Sequence, residues 1–138
     1  MKKGFTLVEL MVVIAVIAIL ATIALFGIQK AQAAARDTQR QQIANTMRAA
    51  EERYYGDHGT YAADFGALAT YMADPTDPGC GTGPQPLTLA GATSVLTPAN
   101  CTVNPPVSYT ITNSGSTADY TITLVKESGG NSVFLSPK

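Results

Sequence analysis

Three hydrophobic patterns follow one another along the chain. Residues 10–28 carry no charge and are built almost wholly from Val, Ile, Ala and Leu, with Thr22 the only hydroxyl among them. As a helix rising 1.5 Å per residue, those 19 residues extend about 28 Å, close to the thickness of a bilayer core, and predict a membrane helix. Next, Ile43, Met47, Ala50 and Tyr54 recur at helical spacing. No Pro or Gly intervenes after Gly27, so the helix is expected to continue to about Tyr55, with that stripe against the core and Gly56 as its stop. The third pattern alternates. Val107, Tyr109 and Ile111 form one expected strand and Tyr120, Ile122 and Leu124 a second, joined by a hairpin connection over residues 113–118. Gly129-Gly130-Asn131 then turns the chain into a third strand at 132–135.

Between the helix and the strands, Asp57-His58-Gly59 reads as a turn and residues 62–72 as a short helix. Asp74-Pro75-Thr76-Asp77-Pro78-Gly79 reads as a rigid loop. Residues 31–35 and 39–42 make a slim, weakly amphipathic neck whose small side chains permit close helix packing. The expected fold class is α+β. A long N-terminal helix, a membrane half followed by an amphipathic half, packs on a small antiparallel β-sheet head.

Composition adds to this picture where it is uneven. Hydrophobic residues make up 46 % of the chain, yet many lie in the first apolar run, leaving a head rich in Gly, Thr, Ser and Pro. The formal net charge of −1 gives no reason to expect nucleic acid as a partner. Between residues 29 and 55 five basic residues (Lys30, Arg36, Arg40, Arg48, Arg53) face three acids (Asp37, Glu51, Glu52), a net +2. From residue 56 onward Lys126 and Lys138 face six acids, a net −4. A basic stalk beneath an acidic head is compatible with packing between neighbouring subunits.

Cys80 and Cys101 lie in a Gly- and Pro-rich stretch, outside any C-x-x-C pair and in a chain with one histidine, so zinc is not expected. The natural reading is a disulfide, worth about 3 kcal/mol through loss of unfolded-state freedom and requiring an oxidising compartment. Two independent buried thiols are the alternative. The pair places the head outside the cytoplasm.

No phosphate loop and no Gly-x-Ser-x-Gly elbow is present. His58 reads as a surface histidine. Asp57, Asp64, Asp74 and Asp77 match no EF-hand spacing and read as solvated loop acids. Thus no catalytic residue, metal site or cofactor is expected, and the chain is not read as an enzyme. Ala31-Gln32-Ala33 and Ala33-Ala34-Ala35 fit signal-peptidase cleavage, but the apolar run exceeds the roughly 7–15 residues of such peptides.

The N-terminus carries the most specific signature. Lys2 and Lys3 precede Gly4, then Phe5-Thr6-Leu7-Val8-Glu9 opens the apolar run. In this the chain resembles the type IV pilins and their secretion-system pseudopilin relatives, strongly over about the first 30 residues and loosely at Tyr54-Tyr55-Gly56 and Gly59-Thr60-Tyr61. The resemblance implies a leader at 1–4, cleavage between Gly4 and Phe5 by a prepilin peptidase that also methylates the Phe5 amine, and a transmembrane and polymerisation helix at 5–28. Residues 29–55 would then carry the amphipathic helix into a globular head at 56–138. Implied partners are copies of itself, membrane lipid before assembly, and an inner-membrane assembly platform with its ATPase. The precursor would reside in the inner membrane and the assembled filament at the cell surface. Where many pilins carry a helix-loosening proline, this chain has Phe26, followed by Gly27, which weakens a helix by about 1 kcal/mol relative to alanine.

Glu9 has two readings. Thr6 and Glu9 fit a capping box, and a carboxylate at a helix start complements its dipole. Alternatively, the carboxylate among apolar side chains pairs with the new Phe5 amine of a neighbouring subunit and sets filament register. The resulting expectation is a structural filament subunit for motility, adhesion or DNA uptake. A secretion pseudopilin and a non-polymerising anchored or secreted binding module are the alternatives.

Overall fold

The computed structural model describes residues 4–81, 83–89, 94–99, 101, 103, 106–113 and 119–135. The basic leader residues Lys2 and Lys3, Lys138, and most of the expected hairpin connection (114–118) lie outside these. Contacts divide the chain into two compact units, Met1–Gln32 and Ala33–Lys138, and the helix α1 (Leu7–His58) contributes to both.

In the first unit α1 is apolar on every side. Leu10, Ile14, Ile17, Leu20, Ile23 and Phe26 are each more than half exposed, and the segment is long and apolar enough to cross a membrane. Thr22 donates to the carbonyls of Ala18 (2.9 Å) and Ile19 (2.8 Å). Its hydroxyl is thereby satisfied within the helix, as an apolar surrounding demands. The helix passes through Gly27 without interruption.

In the second unit, the rest of α1 packs on a four-stranded antiparallel sheet of order β3-β4-β5-β6: Val95–Leu96, Ser108–Asn113, Tyr120–Val125 and Asn131–Leu135. Strands β4 and β5 pair with Tyr109 opposite Leu124 and Ile111 opposite Ile122. The period of two sends these four residues and Tyr120 to the core, and Thr110, Thr112, Thr121 and Thr123 to the other face. Ala44, Met47 and Ala50 of α1 are buried in the same cluster, flanked by Ile43 and Tyr54, as their spacing predicts.

The sheet has one strand more than expected. Two residues are too few to show alternation, and β3 is held by buried Leu96 and its pairing with Tyr109 and Thr110. A ribbon likewise forms where β1 (Thr76–Asp77), inside the stretch read as rigid loop, pairs with β2 (Gln85–Pro86) beyond it. The expected short helix is a 3-10 helix, Phe65–Thr70, started by Asp64 accepting from the Ala67 amide and anchored by buried Phe65 and Leu68.

Helix α1 also runs three residues beyond Tyr55. Gly56 stays helical, and Gly59 takes the left-handed stop conformation (φ 71°) while its amide donates to the Tyr55 carbonyl at 2.8 Å. His58 therefore ends the helix, with its ring stacked 4.1 Å from that of Tyr54 one turn earlier. That i, i+4 stacking favours the extra turn over a stop at Gly56.

Candidate functional site

The start of α1 is built by its own side chains. Glu9 Oε2 accepts from the Thr6 amide (2.9 Å) and the Thr6 hydroxyl (2.7 Å), while Thr6 Oγ1 accepts from the Glu9 amide at 3.3 Å. This reciprocal arrangement is a capping box. Both donations to the carboxylate reach Oε2; among the described residues Oε1 makes no hydrogen bond. Phe5 is 88 % exposed immediately before the cap. The segment thus presents a carboxylate and an uncovered aromatic side chain at the head of an apolar helix. A Cβ added at Gly4 or Gly27 would meet nothing within 4 Å.

The second unit is organised around a residue that the sequence places only among the basic residues of the stalk. Arg40 is fully buried. Its Nε and Nη2 donate to the two carboxylate oxygens of Asp77 (3.0 and 3.2 Å), and Nη1 donates to Asp37 (2.9 Å) and Glu127 (3.1 Å). Nη2 also donates to the Gly79 carbonyl at 2.8 Å. Arg36 grips Glu127 with Nε (2.9 Å) and Nη2 (2.6 Å). Asp37 in turn accepts from the backbone amides of Glu127 and Ser128 in the β5–β6 turn. Two of the five stalk cations, Arg36 and Arg40, are therefore paired within the chain.

Asp77 is likewise no solvated loop acid. It is fully buried and accepts from Arg40, from the Tyr109 hydroxyl (2.7 Å) and from the Gly79 amide (2.8 Å). Gly79 is required there: its φ is 74°, and a Cβ would collide with the Gly83 carbonyl. Asp64, Asp74 and Asp57 each act as local acceptors, from the Ala67 amide, the Leu89 amide and the Tyr71 hydroxyl.

The charges follow the contacts. Burial pushes the Arg40 guanidinium toward losing its proton, but Asp77, Asp37 and Glu127 outweigh this and hold it more firmly charged than usual. Burial also pushes the Asp37 carboxyl up, yet hydrogen bonds from Ser128, Arg40 and Glu127 bring it below the ordinary carboxylate range. Arg36 lowers Glu127 in the same way. Burial, then the Asp77 hydrogen bond, raises the Tyr109 phenol.

Cys80 and Cys101 form a disulfide, as read from the sequence. Arg40 Nη2 lies 3.4 Å from Cys80 Sγ and 3.8 Å from Cys101 Sγ, so the cross-link abuts the guanidinium.

A signal for this node was present in the sequence. Asp37, Arg40, Ala44, Met47 and Glu51 follow one another at alternating steps of three and four, the spacing of one buried helix stripe. Three of the five are charged, so the apolar periodicity reveals only its centre. The two ends of the stripe are buried polar groups, Asp37 and Arg40 at one and Glu51 at the other.

Glu51 differs from Arg40 in lacking a counter-ion among the described residues. Its Oε2 accepts from the Ala62 amide at 3.0 Å, and Oε1 has no partner among the described residues. Burial foremost, and the nearby charge of Glu52, push the carboxyl from 4.5 up to about 7, against the pull of the Ala62 amide. The sign follows from linkage: with the folded value raised, the unfolded chain sheds this proton first, so stability falls as pH rises from 4.5 to about 7. Asp37 and Glu127, with depressed values, act oppositely; their contribution is complete above the ordinary carboxylate range and is lost as pH falls through it. Head stability is therefore expected to peak at mildly acidic pH and to drop by about 3 kcal/mol toward pH 8. Glu51→Gln should remove most of that alkaline loss and match the wild type near pH 4. Parallel unfolding curves for the two proteins from pH 4 to 8 would contradict this.

Residues 1–25 fit the prokaryotic N-terminal methylation motif. The chain therefore carries a class III leader and a prepilin-like N-terminus. No curated protein and no solved structure matches the chain.

Proposed function

We propose that this protein is a structural subunit of a type IV pilus-like filament, polymerising through the first part of α1. The observation that carries this reading is a coincidence of two features over the same residues. The methylation motif spans 1–25, and the helix beginning at Leu7 leaves its apolar side chains uncovered on all sides. A helix of that kind is stable in two settings, lipid or a bundle of like helices. A filament subunit uses both in turn, stored in the inner membrane and then packed against its copies at the cell surface.

Cleavage between Gly4 and Phe5 by a prepilin peptidase creates the chemistry that orders the bundle. It frees the Phe5 amine, methylated by the same enzyme, next to a carboxylate on an adjoining subunit. Dispersion packing between apolar helices leaves axial sliding nearly free, whereas one charge pair in an apolar setting penalises every register but one. Glu9 is assigned that role beside its capping of Thr6. Thr6 holds the carboxylate in place, and Gly27 is the site where the helix loosens as subunits pack. The head, residues 56–138, takes no catalytic part.

Mass spectrometry of the N-terminus of protein recovered from membranes tests the reading. The expected start is N-methylated Phe5. A start at Met1, or at or beyond Ala34, would place the chain instead among anchored or secreted modules that do not polymerise.

A further inference from the structure

The disulfide and the buried guanidinium form one packed node, and their contact has a chemical consequence. Reactive cysteines are partly exposed and sit beside a fixed positive charge, because the thiolate is the nucleophile and a cation stabilises it. Both conditions hold here. Cys80 and Cys101 are partly exposed, and Arg40 Nη2 stands 3.4 and 3.8 Å from their sulfurs.

We propose that Arg40 is a positioning residue for thiol–disulfide exchange at Cys80 and Cys101, making the Cys80 thiol more acidic so that the cross-link closes a few-fold faster once α1 has docked against the loop that carries Cys80. The oxidant is an organic disulfide. The Cys80 thiolate, nearer the guanidinium, attacks one sulfur of that disulfide, forming a mixed disulfide and releasing a thiolate. The Cys101 thiolate then attacks Cys80 Sγ, closing the intramolecular bond and releasing the second thiolate. The protein pair gives up two electrons, the incoming disulfide becomes two thiols, and the two cysteine protons pass to the released thiolates.

The surrounding charges fix the guanidinium for this task. Asp77 holds Nε and Nη2, while Asp37 and Glu127 hold Nη1, and Arg36 neutralises Glu127 from its other side. Tyr109 caps Asp77. The carboxylates oppose a thiolate, but within this network the guanidinium is the group that donates to the sulfurs. Its other acceptors come from α1 itself, from the Asp77–Gly79 segment and from the β5–β6 turn. Arg40 is therefore held against the sulfurs when these three segments are assembled, and closure is expected to be faster in the folded head than in the unfolded chain.

The test uses the full-length protein in detergent micelles, opened by a reductant. Iodoacetamide alkylation of Cys80 and Cys101 is followed across pH, and the two sites are resolved by peptide mass spectrometry. The midpoint for Cys80 is expected at least about one pH unit below that of the same chain unfolded in urea, whose thiols titrate near the free value of about 8.5. Arg40→Met should return it to the urea value or above, because Asp77, Asp37 and Glu127 remain. Because nucleophilicity falls as the thiol becomes more acidic, a one-unit shift should speed closure by oxidised glutathione at pH 7 only about threefold. A folded-state midpoint at or above the urea value overturns the proposal. Should Arg40→Met fail to fold, the comparison of folded with urea-unfolded wild type decides the matter alone.

Discussion

Glu9→Ala and Glu9→Gln are both expected to insert and to be cut after Gly4, and both to yield few or no filaments. The pair of variants separates the two roles of the carboxylate. In the monomer Glu9 accepts from the Thr6 amide and hydroxyl. A glutamine serves a capping box as well as a glutamate does, so Glu9→Gln keeps that contact and removes only the charge. Losing the cap altogether costs about 1 kcal/mol, small against the transfer of an apolar run of 19 residues into lipid. Insertion and processing should therefore survive in both. Removing one partner of a charge pair in an apolar setting is costlier, about 3–5 kcal/mol. At 1.4 kcal/mol per factor of ten, each subunit addition is then disfavoured at least a hundredfold. Filaments sheared from cells are to be quantified against the membrane-held pool, with N-terminal mass as the control for processing. Normal filament yield from Glu9→Gln would reduce Glu9 to a helix cap.

What could be read in advance was whatever depends on near neighbours in the chain. The N-terminal signature, the apolar run, the stripe of Ile43, Met47, Ala50 and Tyr54, and the alternation in β4 and β5 are local patterns; the first matches the methylation motif, the run and the stripe lie on one helix, and the alternation forms paired strands. The cysteine pair was legible for the same reason: the loop around it offers few other uses for two sulfurs. The Arg40 node was not, because its partners Asp77 and Glu127 lie 37 and 87 residues away and nothing local marks them. A helical arginine with an aspartate three positions earlier reads as a solvated pair. Only the fold supplies the desolvation that changes its meaning. β3 and the β1–β2 ribbon escaped for another reason, since a two-residue strand has no period to detect. At the N-terminus the residues were legible, and the capping geometry agrees with one of the two readings of Glu9. The other depends on a second copy of the chain.

Asp77→Ala is expected to destabilise the head by about 3–5 kcal/mol, whereas Asp57→Ala should change it by less than about 0.5 kcal/mol. Sequence alone treats these two aspartates alike, as loop acids beside turns. The fold separates them. Asp57 is exposed and accepts from one partly exposed tyrosine, Tyr71. Asp77 is fully buried and receives Arg40, Tyr109 and the Gly79 amide. Removing its carboxylate leaves Arg40 with Asp37 and Glu127 on Nη1 but with Nε unsatisfied, and it orphans a buried phenol and a buried amide. The disulfide gives no relief, because it acts mainly by restricting the unfolded chain while Asp77 acts in the folded one. Tyr109→Phe should fall between the two, near 1 kcal/mol, since it removes one hydrogen bond and leaves the ion pair. Near-UV circular dichroism suits the measurement: the chain has six tyrosines and no tryptophan, and all six lie beyond residue 53, so the apolar first part of α1 does not mask the signal. For a unit of this size 3–5 kcal/mol corresponds to a fall in melting temperature of about 10–30 °C. Equal melting temperatures for Asp77→Ala and Asp57→Ala would mean that burial of this guanidinium contributes nothing to holding α1 on the head.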